Sequence, residues 1–418
     1  MTTRAIALQA RLLSFPIFVE KVAAYAVSYI RNDICCPCMA SSNLRIRALD
    51  VGSFPLDADM DRYVRGARMI EYDSKAEAED VSYFIANHNE AFRLKAEAMG
   101  PGASVTGFAQ CRGMIAQYLE PLFMEVTGES NLESEKILSK SNAQLVASQI
   151  ATGQLSLDTI PNRVAEVVAL ERGAEELSQA LGEDTISYKA SITGPLELTL
   201  NLQRLAGFPR GYDEKLMDFF SDLVAKYVKG ALVSTPQLNL EVITLDDPSF
   251  GLEGLGDFFT DTQNDESLNH MISCWDRIYA NVPPGVYRGL HLHASPFEHS
   301  FAAGWNLLEA HVTVYVDPEW LEDNDKYIRA AVMRTDGPSF DAGIDLKAAW
   351  DEIKKGNFDR FLQGPSEMQR YLKTNLEMYG PERVPFAGPE CGLGSWDWQH
   401  GAEMALSSLR TLRNILSA

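Results

Sequence analysis

The run VYRGLHLHAS, residues 286–295, decides how the rest of the chain is read. Leu290, His291, Leu292 and His293 alternate apolar with polar, the period of an extended strand. His291, His293 and Ser295 then share one face, and polar turn residues close the run. Working outward from strand 286–293, similar short apolar or β-branched runs stand at 45–52, 103–107, 188–193, 239–245, 311–316, 341–346 and 384–389. Helical patterns separate them at 75–98, 211–231, 262–280, 300–309, 349–378 and 400–417. Eight strands alternating with helices, without an internal repeat, predict an α/β fold of the (β/α)8 TIM-barrel type. The alternative is an open doubly wound sheet, but no GxGxxG follows the first strand. Residues 128–186 read as a helical insertion of three helices between strands two and three.

Composition narrows the function. Asp and Glu number 58 against 37 Lys and Arg, a net charge of −21, so no basic face for nucleic acid is expected. Six cysteines in 418 residues are too few for a disulfide scaffold, which points to a reducing compartment and a cytoplasmic protein. Residues 1–43 read as an N-terminal extension, either disordered or targeting. Arg4 and Arg11 without early acids resemble a mitochondrial transit peptide. The apolar stretch 12–30 carries Glu20 and Lys21 at its centre, so a membrane span is rejected. Cys35, Cys36 and Cys38 lack a second pair at zinc-finger spacing. Residues 44–418 are expected to be one barrel.

In such a barrel chemistry gathers at the carboxyl ends of the strands. The expected ends carry Ser53, Thr106, Thr193, Asp246, His293, Tyr315 with Asp317, Lys347 and Cys391. Val51, Gly52 and Ser53 suit a small anionic group through backbone amides and a hydroxyl; an ordinary turn explains them equally well. Asp246 suits a substrate ammonium, while Asp247 before a proline suits a cap. His291 and His293 on one face suit a metal or acid–base chemistry. Cys391, between Glu390 and Gly392, suits a thiolate ligand, its bland alternative being a small buried hydrophobe.

In this order, Val51-Gly52-Ser53-Phe54-Pro55, Thr193-Gly194-Pro195, Leu245-Asp246-Asp247-Pro248, His291-Leu292-His293 and Pro389-Glu390-Cys391-Gly392-Leu393 resemble the catalytic barrel of cobalamin-independent methionine synthase. The closing segment GPECGLGSWDWQHGAEMALSSLRTLRNIL is the most specific part of that resemblance. The resemblance implies zinc at the barrel mouth, a thiol acceptor such as homocysteine and a folate methyl donor. It matches His293 and Cys391 to zinc ligands, and Asp246 with Val51, Gly52 and Ser53 to the amino-acid site. Lys347 falls where the family has a proton-donating histidine. Ser295 and Tyr315 stand at two further ligand positions, and Asn201 stands where a tryptophan stacks on the folate. His291 is then expected as a third ligand beside an open position for substrate. The reading is a zinc-dependent methyl or alkyl transferase acting on a small thiol or amino acid. Its alternatives are a metal-free enzyme using Asp246, His291 and His293, and a non-catalytic relative.

Overall fold

The computed structural model describes residues 45–110, 112–128, 137–233, 235–252, 258–340 and 344–418. The expectations for residues 1–43 lie outside the described residues. Eight parallel strands close into a barrel in sequence order. They are β1 Arg47–Leu49, β2 Ser104–Gly107, β3 Ile186–Thr193, β4 Leu238–Asp246, β5 Tyr287–Leu292, β6 Leu307–Ala310, β7 Tyr327–Met333 and β8 Phe386–Pro389. β1 closes the ring on β8 through the pairs Arg47–Phe386 and Ala48–Ala387. Helices alternate with the strands, so the predicted (β/α)8 architecture is what the structure shows. Helices Lys140–Ala151, Ala165–Arg172 and Ala174–Leu181 fill the insertion before β3. No described helix is long and apolar enough to cross a membrane.

Two strands differ from expectation. The run 311–316 is β-branched, but β6 ends at Ala310 and only a turn follows. Pairing with β5 through Gly289–Leu307 and His291–Glu309 sets that boundary, and tertiary pairing overrides the local preference of Val312, Thr313 and Val314. Residues 341–346 are not β7 either. β7 lies earlier, at Tyr327–Met333, with Arg329 in its middle. Of the expected run, 341–343 lie outside the described residues, and Asp345 caps helix Leu346–Lys354 by accepting from the Lys347 and Ala348 amides. The 300–309 segment gives a short 3-10 turn, Glu298–Ala302, and then β6 itself.

The barrel interior is layered. Leu49, Val105, Val242, Leu307 and Phe386 form an apolar floor, with Tyr287 and Tyr327 packed on it. Above it lies a charged layer in which Glu309 accepts from Lys189 Nζ at 2.6 Å and Thr244 Oγ1 at 2.6 Å. Gly289 makes room for this layer, since a Cβ there would lie 2.3 Å from Thr244 Oγ1 and 3.1 Å from Glu309 Oε1. At the end of β1, Lys95 Nζ donates to Asp50 Oδ2 at 2.7 Å, Gly52 O at 2.6 Å and Gly107 O at 2.7 Å. Gly388 on β8 is equally tight: an added Cβ would meet Leu49 O at 1.9 Å and Arg329 Nη1 at 3.0 Å. Gly388→Ala is therefore expected to destabilise the barrel by at least about 1–3 kcal/mol, read from the midpoint of a urea melt.

Candidate metal centre at the barrel mouth

β5 carries His291 to the mouth, and His293 follows directly after its last residue, Leu292. The loop after β6 adds His311, and the loop after β8 adds Cys391. One ligand atom from each of these four side chains lies within 4.8 Å of all the others. His291 Nε2 is 3.3 Å from His293 Nε2, and Cys391 Sγ is 3.6 Å from His293 Nε2. The His293 and His311 rings are 4.1 Å apart, centre to centre.

These separations fit a metal. With bonds of about 2.0–2.1 Å to nitrogen and about 2.3 Å to sulfur, a tetrahedral zinc has edges of about 3.3 Å (N–N) and about 3.6 Å (N–S). An orphaned atom points the same way, because His311 Nε2 is buried without a hydrogen-bond partner. Glu390 Oε2 lies 3.8 Å from His311 Nδ1, on the side of the ring away from the unpartnered Nε2. A carboxylate behind a ligating histidine is the usual outer support of a zinc site. Glu390 also accepts from the Val312 amide at 3.2 Å and the Thr335 amide at 3.0 Å, tying three mouth loops together.

Burial sets the charge state of the cluster. It lowers His293 and His311 to about 4, helped at His293 by His311 and at His311 by Arg329. It lowers His291 well below the usual imidazole range, with His293 and Arg329 adding to the effect. Burial also pushes the Cys391 thiol up to about 11. At neutral pH the metal-free cluster therefore holds three neutral imidazoles and a thiol, donors that lose at most one proton to a metal.

Asp246, at the end of β4, is buried with Oδ1 unpartnered, and burial raises its carboxyl to about 8. Asp247 is structural: it accepts from the Glu197 amide at 3.0 Å and from Trp275 Nε1 at 2.8 Å. Val51, Gly52 and Ser53 are bound into the scaffold through their carbonyls, which accept from Ser191 Oγ, Lys95 Nζ and the Leu393 amide. Ser53 Oγ takes the Gly394 amide at 3.1 Å, so Ser53 supports the loop that presents Cys391.

Three expected placements are corrected. Lys347 is not at a strand end; it is exposed in the first turn of helix Leu346–Lys354, while the end of β7 presents Arg334, Thr335 and Asp336. Tyr315 is 48% exposed, in the turn beyond β6, and outside the cluster. Ser295 bonds to Tyr315 O at 2.8 Å and is not in the cluster either. His311 is the donor that sequence reasoning missed. The signal was available, since Glu309 and His311 alternate as His291 and His293 do, but the misplaced strand hid it.

A second group of metal-type side chains, Asp218, His270 and Cys274, lies on the outer helices Glu214–Ala231 and Glu266–Tyr279. Arg277 Nη2 already sits 2.6 Å from Asp218 and 3.5 Å from Cys274, and so supplies the cation there.

No protein-family model matches the sequence, and no curated protein matches it. Among solved structures the chain is similar to a B12-independent methionine synthase from a Shewanella strain, in complex with selenomethionine. That likeness has a TM-score of 0.47 and 13% identity over 89% of this chain and 97% of the other. A methyltransferase from Methanosarcina mazei gives TM-score 0.46 and 11% identity, over 90% and 95% of the two chains. A structure described as a putative vitamin-B12-independent methionine synthase, from Listeria monocytogenes, gives 0.46 and 10%, over 89% and 98%. At these values the likeness says nothing about individual residues or chemistry, so the case for a site rests on the geometry of this chain.

Proposed function

We propose that the chain is a zinc-dependent transferase that places a methyl or small alkyl group on the sulfur of a small thiol, homocysteine or an analogue. The carrying observation is the convergence of His291, His293, His311 and Cys391, with Asp246, whose Oδ1 is unpartnered, opposite His291 on the neighbouring strand. Zinc bound there would keep a thiol substrate deprotonated at neutral pH and so nucleophilic. In this proposal Asp246 takes the substrate ammonium, and a cation beside it would hold its carboxylate ionised. The Val51–Ser53 segment is hydrogen-bonded to the loop following β8 through Ser53. A catalytic zinc holds three protein donors and keeps a position for substrate. In this proposal His311 is the exchangeable donor, and His291, His293 and Cys391 are the fixed ones. Lys347 takes no part in it. A methylated folate is the donor to be tried first.

The test is direct. Zinc-loaded protein, L-homocysteine and a methylated folate are expected to yield the S-methyl product by mass spectrometry, and the Cys391→Ser variant should not. Turnover by metal-depleted protein equal to that of the loaded form would favour the metal-free reading, with Asp246 as the acid–base group. No S-methyl product from any methyl donor tried would reject the transferase.

Metal affinity should depend on pH in a fixed sense. The Cys391 thiol, raised to about 11, must lose its proton on binding, whereas His293 and His311, at about 4, are already neutral. One proton is then released per ion, so affinity should rise about tenfold per pH unit between pH ~6 and ~9. Competition with a chelator at several pH values measures the slope, and a flat profile would mean that Cys391 is not a ligand.

A further inference from the structure

The layer beneath the centre buries two cations around one carboxylate, with the carboxyl of Asp246 near enough to feel both. Lys189, Glu309 and Arg329 are all essentially inaccessible, at 0%, 0% and 1% exposure. Burial alone would raise the Glu309 carboxyl, but Lys189 and Arg329 more than offset it and hold it below its usual range. Lys189 at 2.6 Å and Thr244 at 2.6 Å already satisfy Glu309. Arg329 Nε is farther, 3.4 Å from Glu309 Oε2, and is not hydrogen-bonded. The fork of Arg329 is spent elsewhere: Nη1 donates to Pro389 O, and Nη2 donates to Glu390 O at 3.3 Å. Those are the two carbonyls immediately before Cys391. A buried cation in excess of its carboxylate is costly unless an anion or carbonyl dipoles compensate it.

We propose that Arg329 is the positioning residue for Cys391: its guanidinium clamps the two carbonyls that precede the cysteine and so fixes where the sulfur is presented. The inference rests on the metal centre proposed above and assigns a task to a residue that touches no substrate. Lys cannot reproduce a planar two-carbonyl clamp but keeps the charge, and Gln loses both. Since Lys189 and Thr244 still satisfy Glu309, Arg329→Gln leaves no orphaned carboxylate, which favours folding.

The experiment is cobalt(II) titration of the full chain, reading the sulfur-to-cobalt charge-transfer band, the visible ligand-field bands and the melting temperature. Wild type is expected to show one stoichiometric site with a sulfur band. Arg329→Gln is expected to bind cobalt about 10–100-fold more weakly, the range for loss of an outer support, with the sulfur band reduced more than the ligand-field bands. Arg329→Lys should fall between the two. Glu309→Gln, which leaves the clamp on Pro389 and Glu390 in place, should keep the sulfur band. A folded Arg329→Gln or Arg329→Lys protein with wild-type affinity and spectrum would overturn the proposal. So would equal loss of the sulfur band in Glu309→Gln, which would reduce the effect to general damage of the layer. Should Arg329→Gln fail to fold, Arg329→Lys and Glu309→Gln decide by the same criteria. Absence of cobalt binding in wild type would instead reject the metal centre, and this inference with it.

Discussion

Cys391→Ser and His293→Ala are each expected to lower zinc affinity by about two to three orders of magnitude. Protein zinc sites of four donors bind with about 10–16 kcal/mol in total, so one donor carries about 2.5–4 kcal/mol. Both residues sit at the short edges of the cluster, 3.6 Å from each other, and His293 is also 3.3 Å from His291. Ser295 is bonded to the Tyr315 carbonyl and Glu390 is engaged by two amides, so neither replaces a lost donor without giving up those bonds. His311→Ala should weaken binding less and leave a stoichiometric site at saturating zinc, because three donors remain and His311 is the one that the proposal has substrate displace. Chelator competition on the folded variants measures all three. Equal affinities for wild type and Cys391→Ser would remove the thiol from the ligand set.

Lys95→Met is expected to destabilise the barrel by about 3–5 kcal/mol, the cost of leaving a buried charge unpaired. Lys95 and Asp50 side chains are 0% and 2% exposed, and the ammonium has three acceptors. Its loss strands the Asp50 carboxylate and the carbonyls of Gly52 and Gly107 between β1 and β2. Asp50 also accepts from the Gly107 amide, so the ends of both strands loosen together. Because Ser53 follows directly and holds the Cys391 loop, zinc affinity should fall as well. Denaturant unfolding with and without zinc separates the two effects, and a loss below about 1 kcal/mol would show that water replaces the ammonium there.

The barrel was readable because six of its strands announce themselves by apolar runs that end in turns, and because β5 alternates cleanly through His291 and His293. β6 and β7 were not readable for physical reasons. Leu307-Leu308-Glu309-Ala310 has the composition of a helix, while the β-branched residues after it form a turn. β7 carries Arg329, and a charge in mid-strand argues against burial unless its partners are known. Those partners are Glu309, 20 residues earlier, and the carbonyls of Pro389 and Glu390, 60 and 61 residues later. Shifting β6 by a few residues moved His311 away from the mouth and put Tyr315 in its place, so a four-donor cluster read as three. The placement of Lys347 failed for the same reason, since it depended on a strand at 341–346.

The measurement that bears most directly on the central claim is zinc X-ray absorption on the loaded full chain. The expected result is one zinc per chain, with a single sulfur at about 2.3 Å and nitrogen donors at about 2.0–2.1 Å. In Cys391→Ser the sulfur shell should disappear. A zinc without sulfur in the wild type, or less than one tenth of an equivalent after loading, would contradict the assignment of His291, His293, His311 and Cys391 as a metal centre.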